Sequence, residues 1–245
     1  MMKRNILALA FLVAGLWYGC AEKPVEPTPE ALGLNYYPLE VGNYRIYDVT
    51  NIRIQNNVGD TTRFQVRERV DTAYVDQANV TTYKIIRSVR PGEGSTWADD
   101  SVMLVTKSNN SIVEMKNNTR RIKLVFPVKN GKIWNADAFN SNEVNYEEDR
   151  KEKFKLTNVG EPVTIGGKTY DESLTVIQGR PTDNLINLDD RKEVYVKDIG
   201  LVYRIFNKVT YCNDSQSITC PFDPENKFKL NGHERIEVLR SHGKM

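Results

Sequence analysis

The amino-acid sequence predicts an all-β protein, an antiparallel meander forming a strongly curved sheet or half-barrel. Three observations carry this reading. Strand-length runs alternate between apolar and polar residues. Turn signals separate these runs, and no segment carries the apolar stripe of a packed helix. In residues 63–70, Phe64, Val66 and Val70 share one face while Arg63, Gln65, Arg67 and Arg69 share the other. In residues 191–197, Val194 and Val196 oppose Glu193, Tyr195 and Lys197. In residues 234–240, Ile236 and Val238 oppose Glu237 and Leu239. Asn130-Gly131, Gly166-Gly167 and Asn231-Gly232 suit two-residue hairpins, and Pro91-Gly92 and residues 56–60 suit longer loops.

At the N-terminus, Lys3 and Arg4 precede an apolar run over residues 6–18 that ends at Gly19-Cys20. About 20 apolar residues are needed to span a bilayer, so this shorter run reads as a cleaved signal over residues 1–19. A small residue followed by cysteine resembles the bacterial lipoprotein signal, in which the cysteine is acylated and becomes the new N-terminus. Trp17 stands where that signal usually has leucine, and ordinary cleavage nearby is the competing reading. Acylation of Cys20 places the chain in the cell envelope as an outer-membrane lipoprotein, with the membrane as a partner through its N-terminal lipid.

Residues 20–35 contain Pro24, Pro27 and Pro29, which favour extended backbone and predict a tether, with the β-rich domain occupying residues 36–245. Within that domain the chain repeats itself. YPLEVGN at residues 37–43 aligns with FPVKNGK at residues 126–132, RFQV at 63–66 with KFKL at 153–156, and Thr82-Tyr83 with Thr169-Tyr170. Asp99-Asp100 aligns with Asp189-Asp190, and Ile112-Val113 with Leu201-Val202. The order and the nearly constant offset predict tandem modules at residues 36–124 and 125–210, followed by a tail at residues 211–245. Coincidence among alternating strands is the alternative. In each module Pro38 or Pro127 suits a strand start, and Gly42 or Gly131 suits a positive φ. One segment conflicts with the all-β pattern: residues 143–154 are highly charged, and Glu147 and Lys151 stand at helical spacing.

The run YYPLEVGNYRIY at residues 36–47, followed by EVYVKDIGLVYR at residues 193–204, resembles uncharacterised Bacteroidetes-type lipoproteins. These carry a PL-x-x-G-N-x-W-x-Y element after the anchor and an E-x-Y-x-x-x-x-G-L-V element near the end. Arg45 occupies the tryptophan position here, and Tyr47 keeps the final aromatic. The resemblance implies an exported β-rich lipoprotein and supplies no catalytic residues.

Without residues 1–19 the basic residues fall from 34 to 32, equal to the 32 acidic ones, so the mature domain lacks the basic footprint of a nucleic-acid binder. Cys212 and Cys220 form an even pair in an oxidising compartment and predict a disulfide. Two histidines and no C-x-x-C spacing leave no zinc set, and no nucleophile has a recognisable histidine partner; no metal or cofactor is expected. The acids Asp99-Asp100, Asp189-Asp190 and Glu147-Glu148-Asp149 read as solvated or turn residues. Carbohydrate hydrolysis by paired carboxylates is the remote alternative. Glu68 falls on the face of Phe64, Val66 and Val70, and a bulge after Val66 is expected to turn it outward. Trp97, in the loop of residues 92–100, is the candidate contact for a ligand or partner, against a tryptophan folded back over a sheet edge. The function these features support is a non-enzymatic, lipid-anchored domain binding an apolar ligand or a partner on a curved sheet. A structural subunit of an envelope assembly is the other reading.

Cys20→Ser is expected to block acylation, giving either soluble protein or an uncleaved precursor on membrane fractionation. Normal processing and membrane retention of that variant would refute the anchor.

Overall fold

The computed structural model describes residues 27–77, 79–140, 152–214, 220 and 222–245. Cys20 and the charged residues Glu147, Glu148, Asp149 and Lys151 lie outside the described residues. The chain builds one 13-stranded antiparallel sheet, nearly closed into a barrel. The first half is a meander of β1 (Asn43–Gln55), β2 (Val58–Val75), β3 (Thr81–Arg90), β4 (Ala98–Lys107), β5 (Ser111–Lys116) and β6 (Thr119–Val125). The second half contains β7 (Ile133–Asn135), β8 (Lys153–Ile165), β9 (Lys168–Gln178), the two-residue β10 (Thr182–Asp183), β11 (Asn187–Val196), β12 (Gly200–Tyr211) and β13 (Lys229–Lys244). Along the sheet the order is β6-β5-β4-β3-β2-β1-β13-β12-β11-β9-β8-β7, with β10 paired to β11. The end strands then approach each other: Ile122 N–H donates to Ala136 O at 2.9 Å, and Trp134 Nε1–H donates to Ile122 O at 2.8 Å.

The predicted tail is therefore not peripheral. β13 is the seam between the halves, paired along one side with β1 and along the other with β12. Both halves run through the sheet in chain order. Phe64 lies on β2 and Phe154 on β8, while Arg63 and Lys153 are both exposed. Gly42 and Gly131 both have positive φ, 92° and 81°. The pair differs in burial: Phe154 is fully buried against Trp134, with ring centroids 5.9 Å apart, whereas Phe64 is half-buried. Phe64 sits where the core gives way to an open end, beneath the Arg235 guanidinium at 5.3 Å.

Turn chemistry departs from the sequence reading in three places. Asn56 and Asn57, at φ 49° and 62°, make a two-residue turn between β1 and β2 instead of the longer loop expected over residues 56–60. Asparagine tolerates this left-handed backbone, which a two-residue hairpin requires. Asn231-Gly232 is not a turn but lies inside β13, where a Cβ on Gly232 would meet Lys208 O at 2.9 Å. The glycine there permits close approach of neighbouring backbone. Asn130-Gly131 precedes the short β7 and closes no hairpin, while Gly166-Gly167 does connect β8 to β9.

The expected tether boundary also shifts. Within residues 27–36 the chain forms helix α1 (Pro29–Leu32), capped by the Thr28 hydroxyl, and a 3-10 turn at Leu34–Tyr36. Proline does not forbid this helix because Pro29 stands in its first turn, where no N–H is needed. Leu32, Leu34, Tyr36, Tyr37 and Leu39 are buried in the main core with Tyr47, Val66, Ile85, Leu124, Phe154 and Leu174. They close one end of the barrel. Val128 N–H donates to Leu32 O at 3.0 Å, Asp198 N–H to Asn35 O at 2.9 Å, and Lys107 Nζ to Leu34 O and Tyr37 O at 2.9 and 2.8 Å.

Phe154→Ala is expected to cost roughly 3–5 kcal/mol in urea unfolding, and Phe64→Ala measurably less, because only Phe154 leaves a fully enclosed cavity. Equal costs would contradict the burial difference.

Candidate functional site

Strand alternation places odd-numbered residues of β1 and even-numbered residues of β2 on the inner face of the sheet, among them Tyr47, Val49, Val66 and Val70. Glu68 shares that face and is buried, so the expected outward turn does not occur. The register shift falls after Val70 rather than after Val66. In β11 the inner face carries Glu193 and Tyr195. Val194 and Val196, which their apolar character suggests for the core, join a second cluster with Tyr170 and Val202. Val163 and Ile165 from the end of the β8–β9 hairpin pack onto that cluster, so both faces of this part of the sheet are covered.

Inside the barrel these inward residues form a continuous row of ions. Lys123 Nζ lies 2.5 Å from Glu193 Oε1, and Arg204 Nε lies 2.9 Å from the same oxygen. Tyr195 O–H donates to Glu193 Oε2 at 2.6 Å. Arg204 Nη1 reaches Glu237 Oε2 at 2.7 Å, while Glu237 Oε1 accepts from Arg87 Nη2 at 3.0 Å and Arg235 Nε at 2.7 Å. Arg87 then approaches Glu68 at 3.9 Å. The ladders set this up, pairing Glu193 with Arg204, Arg204 with Glu237 and Glu68 with Arg87 directly across adjacent strands. Lys123 reaches Glu193 because the β5–β6 register skips it: Ile112 pairs with Leu124 and Val113 with Ile122. Such a bulge re-aims a side chain, and here both Lys123 and Leu124 are buried.

The carboxyls of Glu193 and Glu237 are each 1% exposed. Burial raises the pKa of Glu193, but Lys123 and Arg204 more than offset it and hold the group down at about 2. Glu237 is likewise opposed by burial and brought down to about 2 by Arg204, Arg87 and Arg235. Enclosed acids held ionised in this way cannot donate a proton near neutral pH. The Asp-Asp pairs, read as solvated or turn residues, lie within β4 and β11, where Asp99 and Asp100 are exposed and Asp189 and Asp190 half-buried. Asp99 accepts from Ser88 Oγ at 2.7 Å, and Asp189 pairs with Arg191 at 2.6 Å.

Trp97 is half-buried between two guanidinium groups, Arg90 at 4.4 Å and Arg67 at 4.8 Å from its ring centroid. It is folded back on the sheet and stands apart from the ion row. Cys212 and Cys220 are joined by a disulfide, with Cα atoms 5.9 Å apart. Among the described residues no group of three or more His, Cys, Asp or Glu gathers as a metal site, and no helix is long and apolar enough to cross a membrane.

Opposite the end closed by α1, the strands β1, β2, β12 and β13 extend beyond the core around an open trough of about 1150 Å³. Arg53, Gln55, Val58, Asp60, Phe206, Lys208 and His233 line it. His233 Nε2 lies 2.6 Å from Asn51 Oδ1, so the ring nitrogen donates there, and the ring sits 5.6 Å from that of Phe206. Burial, then Arg235 and Arg53, lower the pKa of His233. None of these residues stands out in the sequence. Their alternation is ordinary, and only the overhang of four strands past the core brings them together.

No family model and no curated protein sequence matches the chain. Among solved structures, the chain is similar to a protein from Bacteroides fragilis NCTC 9343 described as exported and of YmcC-like fold. That similarity has a TM-score of 0.41 and 10% identity, over 85% of this chain and 98% of that one. It is also similar to a protein from Parabacteroides distasonis ATCC 8503 described as a lipoprotein, with a TM-score of 0.37 and 12% identity over 85% and 98% of the two chains.

The depressed carboxyl values set a pH dependence. The contribution of Glu193 and Glu237 to stability is complete above their ordinary value of 4.5 and lost as pH falls toward about 2. Acid unfolding should show this loss across that window. Glu193→Gln should reduce it to the Glu237 part while costing roughly 3–5 kcal/mol at neutral pH, because Lys123 is left buried without its anion and Arg204 keeps only Glu237.

Proposed function

We propose that this chain is a lipid-anchored, non-enzymatic binding domain of the cell envelope whose recognition surface is the open mouth of the barrel. The observation that carries the reading is the asymmetry of the two ends. The N-terminal segment, which leads back to Cys20, plugs one end with five buried apolar residues from Leu32 to Leu39. The mouth opens at the other end, roughly 40 Å away by the rise of the 13-residue β1. An anchor at Cys20 then holds the plugged end toward the membrane and turns the mouth away from it. The middle of the concave face is occupied by packed side chains and the ion row, so an apolar ligand held deep in the sheet has less support than a ligand or partner taken at the mouth. The non-enzymatic reading is supported by the enclosure and ionised state of Glu193 and Glu237.

A structural subunit of an envelope assembly remains the second reading. It is favoured by a groove of about 360 Å³ lined by Tyr74, Leu104, Val113, Met115 and Phe139, of which Tyr74 and Phe139 are exposed.

A photo-cross-linking residue in place of Val58, at the mouth and 70% exposed, is expected to trap a ligand or partner in intact cells. The same residue in place of Val41, 48% exposed beside the plug, is expected to trap none. Adducts from Val41 with none from Val58 would overturn the assignment. Adducts from Phe139 alone would favour assembly.

A further inference from the structure

We propose that the mouth binds an anionic group, a carboxylate or phosphate carried by the ligand or partner. This rests on reading the mouth as the recognition surface and names the chemistry that the surface accepts. Three basic side chains line it from three strands, Arg53 of β1, Lys208 of β12 and His233 of β13, and Arg235 of β13 acts on His233 from behind the lining. Their engagement with protein acids is uneven. Arg235 is committed to Glu237 at 2.7 Å. Lys208 reaches Asp189 at 3.5 Å, with half of its side chain exposed. Arg53 has no ion pair among the described residues, although Asp60 stands directly opposite it in the β1–β2 ladder. Among the described residues, Asp60 is the one acid lining the trough. A guanidinium left without a carboxylate, beside a second cation, is suited to a forked contact with a carboxylate or phosphate.

The remaining lining defines what accompanies the charge. The Phe206 ring, next to the His233 imidazole, and the exposed Val58 give an apolar flank. His233 is half-buried and spends its Nε2 proton on Asn51, leaving Nδ1 as the atom that gains a proton when a negative charge arrives. The charged groups that face the ring are Arg53 from β1, Asp60 from β2, Lys208 from β12 and Arg235 from its own strand. His233 thus reports on the occupant. An anion between Arg53 and Lys208 opposes the positive field of Arg235 and Arg53, which adds to burial in holding its pKa down.

The test is proton NMR of the two histidines in the mature chain, titrated with inorganic phosphate or citrate at constant ionic strength set by chloride. His242 lies at the opposite end of β13, across from Arg45, and serves as the internal reference. The expected result is a saturable rise in the His233 pKa of about half a unit or more with no change at His242. Arg53→Gln and Lys208→Gln should each weaken binding by roughly tenfold or more, as loss of a hydrogen bond to a charged group does. Both residues are exposed, so the thermal melts of these variants should match the parent. A His233 pKa unmoved by both anions, equal shifts at His242, or unchanged affinity in Arg53→Gln would overturn the proposal. A response to phosphate but not citrate, or the reverse, decides which acid the mouth selects. If the Val58 cross-link forms while neither anion moves His233, the anion assignment fails and the mouth survives as the recognition surface. If the anions bind specifically but Val58 traps nothing, the failure lies with the broader reading.

Discussion

The row of ions from Lys123 through Glu193, Arg204, Glu237 and Arg87 to Glu68 is the constraint on which the two halves of this sheet depend. Removing each of these charges from water costs several kcal/mol, and that cost is offset only when every ion has close partners. Glu193 has Lys123, Arg204 and Tyr195, while Glu237 has Arg204, Arg87 and Arg235. The contacts are unforgiving of register. A slip of one residue between β11 and β12 would set Glu193 opposite a neighbour of Arg204 and leave both charges buried without each other. The row therefore specifies alignment more than it adds net stability, and it does so across the seam at β13 and across the closure at β6.

The remaining architecture follows from an unequal treatment of the two ends. At one end the segment before β1 folds inward, and its leucines and tyrosines complete the core. At the other, four strands outrun the core and leave polar inward positions facing water. A curved antiparallel sheet makes this easy, because one strand can contribute to the core along part of its length and to an open trough along the rest. β2 does so in order, from Asp60 at the rim to Phe64 at the boundary, then Val66 and Val70 in the core.

Bulges refine this scheme. Skipping Lys123 in the β5–β6 ladder brings a cation inside beside Leu124. Skipping Val202 in the β11–β12 ladder frees it for the second apolar cluster, while Leu201 stays in the first. Each shift changes which face a residue serves without changing the sequence period around it.

Much was legible in the sequence. The all-β class, the phase of residues 63–70, the Gly166-Gly167 hairpin and the Cys212–Cys220 disulfide follow from local alternation, turn chemistry and cysteine count, which depend on neighbours in the chain. Glu68 was legible only in part. Its phase placed it inside, but a lone buried carboxylate is costly, and its compensating partner Arg87 comes from the next strand. The opposition of Val194 and Val196 to Glu193 and Tyr195 is legible, but which face lies inside is not, because apolar Val194 and Val196 look like core until a second hairpin is seen to cover the other side. Asn231-Gly232 reads as a turn until β1 and β12 are found flanking it. The mouth residues carry no local signal. By itself the sequence determined strand content, alternation and the covalent cross-link. The tertiary structure alone decided which acids are paired, which face is inside and where the sheet stays open, because charge compensation and burial arise between strands far apart in the chain.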